Sequence, residues 1–218
     1  SKGKVFLNTN DKKQVEQSTG IENISFNNEL IKFIEADPFV KVKFDNSIIK
    51  SCLVGKYNYT NIAVAISIGN YFNVSTENIK NAIETYTPTN NRSQIILKGT
   101  NKIILDAYNA NPSSMEAALE NFDQLQDSRK SVFLGDMFEL GSKSAEEHQK
   151  IAHLASSLNF ENTYLIGKAF STTSVKNAFI FDSFESFKNS KNYLNIKENT
   201  ILIKGSRGMA LERILDLF

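Results

Sequence analysis

The chain has 218 residues, of which 25 are basic and 24 acidic, so its formal net charge is +1. Because a chain this evenly charged has no overall field to attract polyanions, we expect no nucleic-acid partner. The composition, 41% hydrophobic and 22% charged, is that of a globular protein. No apolar run approaches the ~20 residues that cross a bilayer, so we expect no membrane insertion.

In the first 88 residues, Phe39 to Phe44 alternates apolar and polar side chains, and an apolar run from Ile48 to Val54 follows. This pattern predicts a β-hairpin. Two helices are predicted after it, one starting near Asn58 and one at Ser75. The strands are too few for an independent sheet, so we interpret residues 1–88 as the end of a larger α/β domain.

Turn-forming residues around Pro88 mark a domain boundary after residue 88, and we expect residues 87–92 to act as a hinge. From residue 89 onward, short apolar runs alternate with helix-like stretches, which is typical of a parallel sheet with helical crossovers. We therefore expect residues 89–218 to form a doubly wound α/β domain. Its parallel strands are predicted around residues 103–105, 132–134, 164–166, 179–181 and 201–203.

Local signals refine this second domain. A hairpin from Gln94 to Leu105 is predicted to place an antiparallel strand at the sheet edge. Helix starts are predicted at Asn111-Pro112 and at Ser144, where Glu147 completes a capping-box pattern. A last helix is predicted from Ala210 to Phe218.

Polar residues follow four of the predicted parallel strands, at the edge where ligands bind in open sheets. They are Asp106, Gly135-Asp136, Gly167-Lys168 and Lys204-Gly205-Ser206-Arg207. A carboxylate can accept hydrogen bonds from a ribose, and a turn with two cations can bind a carboxylate or phosphate. Ordinary turn chemistry explains the two glycine-led pairs equally well.

Other candidate sites are weaker. His148 and His153 are interpreted as helix residues, one exposed and one partly buried, because they lie five apart and no H-E-x-x-H pattern surrounds them. Cys52 is the only cysteine, and we interpret it as a buried, inert thiol. A chain with a single cysteine cannot form an internal disulfide, which fits a reducing, cytoplasmic compartment. No metal site is predicted. The start at Ser1, without a secretory signal, fits a piece of a longer chain and a processed protein equally well.

Five segments in this order resemble the second half of the Mur ligase family of bacterial cell-wall synthesis. They are Leu53 to Asn61, Arg92, Asp106 to Pro112, Leu134 to Gly141 with His148, and Lys204 to Met209. The resemblance implies the end of an α/β ATP-binding central domain, followed by a Rossmann-like C-terminal domain. It implies an ATP-dependent ligase that adds D-alanyl-D-alanine to UDP-N-acetylmuramoyl-tripeptide in peptidoglycan precursor synthesis, through an acyl phosphate.

Carried over by motif, the resemblance implies that Asn58 and Asn61 lie against the adenine of ATP, Arg92 reaches the nucleotide and Asp106 binds the ribose. It places five residues near the incoming dipeptide: Asn109, Asn111, Lys204, Ser206 and Arg207. Tyr57 departs from the family pattern, which commonly has His there. The implied cofactors are ATP and Mg²⁺. The catalytic lysine of the phosphate loop, the magnesium ligands and the UDP-binding domain are all expected upstream of Ser1.

Neither G-x-x-x-x-G-K-[ST] nor G-x-G-x-x-G occurs in the sequence, so we do not expect this chain alone to hold a triphosphate tightly. Because phosphoryl transfer depends on positioning, separating the ATP-binding halves of such a ligase abolishes it, and we expect the isolated chain to be inactive. We also expect a monomer. The alternative is a non-catalytic α/β module that binds a small anion at the same sheet edge. A response-regulator-like domain is disfavoured, because Gly167-Lys168 stands where the phosphorylated aspartate would be needed.

Overall fold

The computed structural model describes residues 3–26 and 30–218; residues 1–2 and 27–29 of the predicted first domain lie outside the described residues. The chain divides into two compact units, unit 1 (Ser1–Thr87) and unit 2 (Pro88–Phe218). The assignment of these units to a central and a C-terminal ligase domain stays a prediction. None of the helices in the described ranges is long and apolar enough to cross a membrane.

Unit 1 contains a three-stranded antiparallel sheet and a separate pair of parallel strands. Its elements are β1 (Val5–Leu7), α1 (Lys12–Gln17), β2 (Asn23–Ser25), β3 (Ile31–Ala36), β4 (Phe39–Phe44), β5 (Ser47–Val54), α2 (Tyr59–Tyr71) and α3 (Thr76–Thr85). The predicted hairpin is confirmed as β4–β5, and both predicted helices are confirmed as α2 and α3. Val40, Val42 and Phe44 are buried in one cluster with α2 residues such as Ile62 and Ile66, so the alternating pattern of β4 does mark its core face.

The expectation that unit 1 has too few strands for its own sheet is wrong. The strand that sequence analysis missed, β3, pairs with β4 through a register shift between Phe33 and Glu35. A bulge of this kind places two residues opposite one and breaks the alternation of apolar and polar side chains. The period-two signal of β3 is therefore hidden in its sequence.

Unit 2 is built on a six-stranded sheet with the order β10-β9-β8-β11-β7-β6. Only the edge pair β6–β7 is antiparallel, and the other four pairs are parallel. The doubly wound fold with an antiparallel edge strand is thereby confirmed. The elements are β6 (Gln94–Lys98), β7 (Asn101–Asp106), α4 (Pro112–Asp123), β8 (Lys130–Gly135), α5 (Ser144–Ser157), β9 (Asn162–Ile166), β10 (Phe179–Phe181), α6 (Phe184–Ser190) and β11 (Thr200–Lys204).

Both predicted helix starts in unit 2 are confirmed, since α4 begins at Pro112 and α5 at Ser144, but only one of the two predicted caps is present. At α4, the Asn111 side chain accepts a hydrogen bond from the Ser114 N–H and the Ser114 hydroxyl accepts one from Asn111, a complete capping box. At α5, the predicted Ser144–Glu147 box is wrong. A 3-10 turn over Gly141–Lys143 runs directly into this helix, so its N-cap is Lys143 and makes no side-chain cap bond.

The last predicted helix is a 3-10 helix over Leu211–Leu217. Leu211 and Ile214 are fully buried, and Leu217 packs against the same core. Since side chains three residues apart align in a 3-10 helix, this spacing suits a 3-10 turn better than an α-helix. The tight winding brings all three side chains onto the sheet.

Tyr164 on β9 is the largest fully buried side chain of the molecule's described residues. Its ring stacks on Phe133 at 4.5 Å between centroids and 8° between planes. The phenol donates a hydrogen bond to the Asn192 carbonyl at 3.2 Å. Burial disfavours the phenolate and raises the pKa of Tyr164 to about 12.

We expect Tyr164→Phe to change how stability depends on alkaline pH. The folded-state pKa is raised, so the contribution of the neutral phenol is complete below the unfolded pKa of about 10 and is lost as pH rises towards about 12. The wild-type unfolding free energy should fall more steeply than that of the variant in this window, by up to about 1.4 kcal/mol per pH unit. Urea unfolding at a series of pH values measures both slopes. Tyr108→Phe, at an exposed ring of the same unit, is the control, and equal slopes for wild type and Tyr164→Phe would contradict the expectation.

Candidate functional site

The carboxyl ends of β7, β8, β9 and β11 meet at one edge of the sheet of unit 2, because these strands are parallel neighbours. Four loops follow them: residues 106–111, 136–140, 167–169 and 204–209. We call these four loops the rim. All of the site residues predicted beyond the linker, except Arg92, lie in the rim.

An ion pair at the base of the rim joins two of its loops. Lys204 stands opposite Asp106 in the β11–β7 register, and its Nζ lies 2.5 Å from Asp106 Oδ2. The two side chains are 4% and 14% exposed. The same ammonium donates to the Asn109 carbonyl at 3.3 Å. A buried ammonium is tolerated only when it is paired in this way.

The other oxygen of Asp106 binds the start of unit 2. Asp106 Oδ1 accepts hydrogen bonds from the Ser93 N–H at 3.1 Å and from the Ser93 hydroxyl at 3.4 Å. Both carboxylate oxygens therefore have partners. Oδ1 uses both of its lone pairs on Ser93, whereas Oδ2 keeps one beside Lys204, and the side chain keeps some exposure. Sequence analysis did not identify Ser93, whose position just after the predicted linker was the only available signal.

Arg92 lies over an exposed aromatic ring. Its Cζ is 3.8 Å from the ring centroid of Tyr108, two residues after Asp106. A guanidinium held by a cation–π contact still has N–H donors that can bind an anion. The structure thus places the predicted Arg92 next to Ser93, which binds Asp106, and it adds Tyr108, which sequence analysis quoted within a motif but gave no role.

The predicted dipeptide residues fall into two groups. Asn109 has an exposed side chain, and Arg207, 57% exposed, pairs with Glu212 at 2.7 Å. In contrast, the Asn111 side chain caps α4. Ser206 is buried, and its hydroxyl accepts a hydrogen bond from the Phe138 N–H at 2.9 Å. Asn109 and Arg207 are accessible to a ligand, whereas Asn111 and Ser206 shape the loops.

Asp136 is buried and binds the backbone of the neighbouring loop. Its two oxygens accept hydrogen bonds from the N–H groups of Ala169 and Phe170, both at 2.9 Å. Gly167 has a φ of +135°, and a Cβ on it would lie 2.3 Å from the Asp136 Cγ. Only glycine fits there, which supports the interpretation of these two loops as structural turns.

His148 on α5 is fully buried; the expectation of partial burial is wrong for it, while His153 is exposed as expected. The His148 Nε2 accepts a hydrogen bond from the Met137 N–H at 2.9 Å, and the His148 Nδ1 lies 2.7 Å from the Ser144 carbonyl oxygen. This network assigns a neutral ring with its proton on Nδ1. Sequence signals for the burial existed, because His148 shares the helix face of Ile151, Ala152 and Ala155.

In unit 1, the two asparagines predicted to bind adenine contact each other at the start of α2. Asn58 is buried; its Nδ2 donates to the Val54 carbonyl at 2.7 Å, and its Oδ1 accepts from Asn61 Nδ2 at 2.9 Å. Asn61 is exposed. Asn58 therefore orients the Asn61 amide, leaving the Asn61 Oδ1 as the acceptor at the surface.

No group of three or more His, Cys, Asp or Glu side chains within residues 3–26 and 30–218 could hold a metal ion. Cys52 is only partly buried, with its Sγ 3.5 Å from the Glu84 carbonyl oxygen.

We expect His148→Ala to destabilise the chain by about 2–4 kcal/mol, because it leaves a cavity and removes the acceptor of the buried Met137 N–H. His153→Ala on the exposed face of the same helix is the matched control and should change the unfolding free energy by less than about 0.5 kcal/mol. Urea unfolding followed by circular dichroism compares the two variants. Equal effects would show that the imidazole does not hold the loop.

Comparison with known proteins gives consistent matches. Residues 91–213 match the sequence profile of the family described as Mur ligase, glutamate ligase domain. A UDP-N-acetylmuramoyl-tripeptide--D-alanyl-D-alanine ligase from Bacillus subtilis (strain 168) is 33% identical over 173 residues, 75% of this chain and 38% of that protein. The ligase of the same name from Buchnera aphidicola subsp. Baizongia pistaciae is 35% identical over 169 residues, 75% of this chain and 36% of that protein.

Solved structures agree in fold. A MurF structure from Acinetobacter baumannii has a TM-score of 0.83 at 23% identity and covers 99% of this chain and 52% of that one. A MurF ligase from Thermotoga maritima in complex with ADP has a TM-score of 0.80 at 17% identity, with 99% and 53% covered. The chain spans less than half the length of the curated relatives it matches. Since the family profile covers more than half of the chain, the chain belongs to the Mur ligase family.

Proposed function

We propose that this chain is part of an ATP-dependent ligase that joins D-alanyl-D-alanine to UDP-N-acetylmuramoyl-tripeptide in peptidoglycan precursor synthesis. The observation that carries the proposal is the cluster at the carboxyl edge of the sheet in which Asp106 binds Ser93 and the neighbouring Arg92 lies over Tyr108. This cluster lies within residues 91–213, which match the Mur ligase family. A carboxylate beside an exposed guanidinium suits a ribose and an adjoining phosphate.

The proposed reaction has two steps. ATP transfers its terminal phosphoryl group to the carboxylate of the tripeptide, which gives ADP and an acyl phosphate. The free amine of D-alanyl-D-alanine then attacks the acyl carbon, forming the amide bond and releasing phosphate. Phosphoryl transfer depends on positioning and charge neutralisation. We assign the phosphate loop and Mg²⁺ ligands to a part of the ligase other than the residues described here.

On the nucleotide side, we propose that Asn61 reads the adenine amino group with its Oδ1, in the orientation set by Asn58. Asp106 accepts a hydrogen bond from a ribose hydroxyl with the Oδ2 lone pair that Lys204 leaves unused. Arg92, stacked on Tyr108, binds a phosphate. Each role uses a donor or acceptor type that the ligand complements.

On the dipeptide side, we propose that Arg207 binds the carboxylate of D-alanyl-D-alanine and that Asn109 binds its peptide group. Arg207 is already paired with Glu212, so ligand binding shares or exchanges that partner. Asn111 and Ser206 support these two residues by shaping their loops. We propose that the protein acts as a monomer in the cytoplasm, where ATP is supplied.

We expect the purified 218-residue chain to release no phosphate from ATP in the presence of both substrates. The complete ligase that contains it should be active, and Asp106→Asn should lower its kcat/KM for ATP by about 10- to 100-fold, because a charge-assisted hydrogen bond is lost. Asp127→Asn, at an ion pair with Lys102 near the opposite end of β7, is the matched control. An unchanged kcat/KM in Asp106→Asn would contradict the assignment.

The exposed Arg92 and Arg207 also allow a second function, a binding module for a small anion. Titration calorimetry of the isolated chain distinguishes the two functions. A dissociation constant for ATP above the micromolar range agrees with one half of a ligase's ATP site. Micromolar affinity for a small anionic metabolite would favour the binding module.

A further inference from the structure

Five residues at the rim and at the start of unit 2 form one chain of contacts. The ammonium of Lys204 binds Asp106, Asp106 binds Ser93, and the neighbour of Ser93, Arg92, lies on Tyr108. Lys204 and Asp106 lie 98 residues apart in sequence. The ion pair therefore connects the last strand of unit 2 with the beginning of the same unit.

The position of Lys204 is unsuited to direct contact with a substrate. It ends the central strand β11, which is paired on one side with β7 and on the other with β8. Its side chain is 4% exposed, and two of its three ammonium donors bind Asp106 and the Asn109 carbonyl. Arg207, three residues further on, has a 57% exposed side chain. The cation of this loop that faces solvent is Arg207.

The backbone that Asp106 holds is in an unfavourable conformation. Ser93 has a φ of +49°, and the nearby Asn90 and Asn91 have φ values of +60° and +59°. Asparagine tolerates the left-handed region, whereas serine enters it at a greater cost. The hydrogen bonds from the Ser93 N–H and hydroxyl to Asp106 offset that cost. They fix the backbone of the residue next to Arg92, whose guanidinium lies over the Tyr108 ring.

We propose that Lys204 is a positioning residue for the nucleotide rather than a ligand of the dipeptide. It holds the Asp106 carboxylate, which fixes Ser93 and so presents Arg92. This inference rests on the proposed function for its kinetic consequence, but its structural part concerns unit 2 alone. It replaces the role near the dipeptide that the family resemblance implies for Lys204.

Hydrogen exchange in the 218-residue chain tests the structural part. In Lys204→Met, the Ser93 amide should exchange about tenfold faster relative to the Ile103 amide in the core of β7, because its acceptor is no longer held. Lys102→Met is the control. It removes a lysine of β7 whose ammonium pairs with Asp127, and it should leave the ratio of the Ser93 to the Ile103 exchange rate unchanged. An unchanged Ser93 to Ile103 ratio in Lys204→Met would overturn the proposal.

Kinetics of the complete ligase test the functional part. Lys204→Met should raise the KM for ATP about tenfold, with the KM for D-alanyl-D-alanine unchanged within about twofold. In the Asp106→Asn background, the same substitution should change neither constant, because Lys204 acts through Asp106. Lys204→Met alone leaves the buried Asp106 carboxylate without its cation, which destabilises the fold. The double variant has no such carboxylate, so it remains informative if Lys204→Met alone does not fold.

A rise in the KM for the dipeptide, in either background, would overturn the proposal and make Lys204 a dipeptide ligand. If the wild-type ligase instead lacks activity with these substrates, the proposed function fails. The exchange of the Ser93 amide then still decides whether Lys204 holds the linker.

Discussion

The buried ammonium of Lys204 constrains the whole of unit 2. A charge removed from water costs several kcal/mol unless a partner of opposite charge meets it with good geometry. Asp106 provides that partner only in the observed register of β11 and β7. A slip of one residue would set Lys204 opposite Leu105 and leave both charges unpaired. The ion pair thus fixes the register of the central strand, and the positions of the loops at the rim follow from it.

The rim is held together by side chains that bind backbone amides of neighbouring segments. Asp136 binds two N–H groups of the loop after β9, His148 binds the Met137 N–H, and Ser206 binds the Phe138 N–H. These three residues join the loops after β8, β9 and β11 to each other and to α5. The side chains that hold these loops are buried, whereas Arg92, Asn109 and Arg207, for which we propose ligand binding, are exposed.

Much of the fold follows from the sequence, because strands buried on both faces are short apolar runs and helix caps have their own chemistry. The errors have physical causes. A bulge hid β3, and a 3-10 turn before α5 removed the need for a Ser144 cap. The polarity of His148 masked its place on the buried helix face. At the site, the strand ends and the motifs predicted roles for Asp106, Arg92 and Lys204, and these roles stay proposals. The pairing of Lys204 with Asp106, and of Asp106 with Ser93, depends on register and on backbone conformation, which local sequence does not encode.

The place of β11 in the sheet has a consequence for how unit 2 folds. β11 follows the other five strands of the six-stranded sheet in sequence, yet it lies between β8 and β7. Without it, the β6–β7 hairpin and the strands β8, β9 and β10 have no pairing with each other. Pairing across such a sequence separation is slow, and unpaired strand edges invite association with other chains. We therefore expect the two halves of the sheet, and with them the four loops of the rim, to come together only when β11 inserts between them.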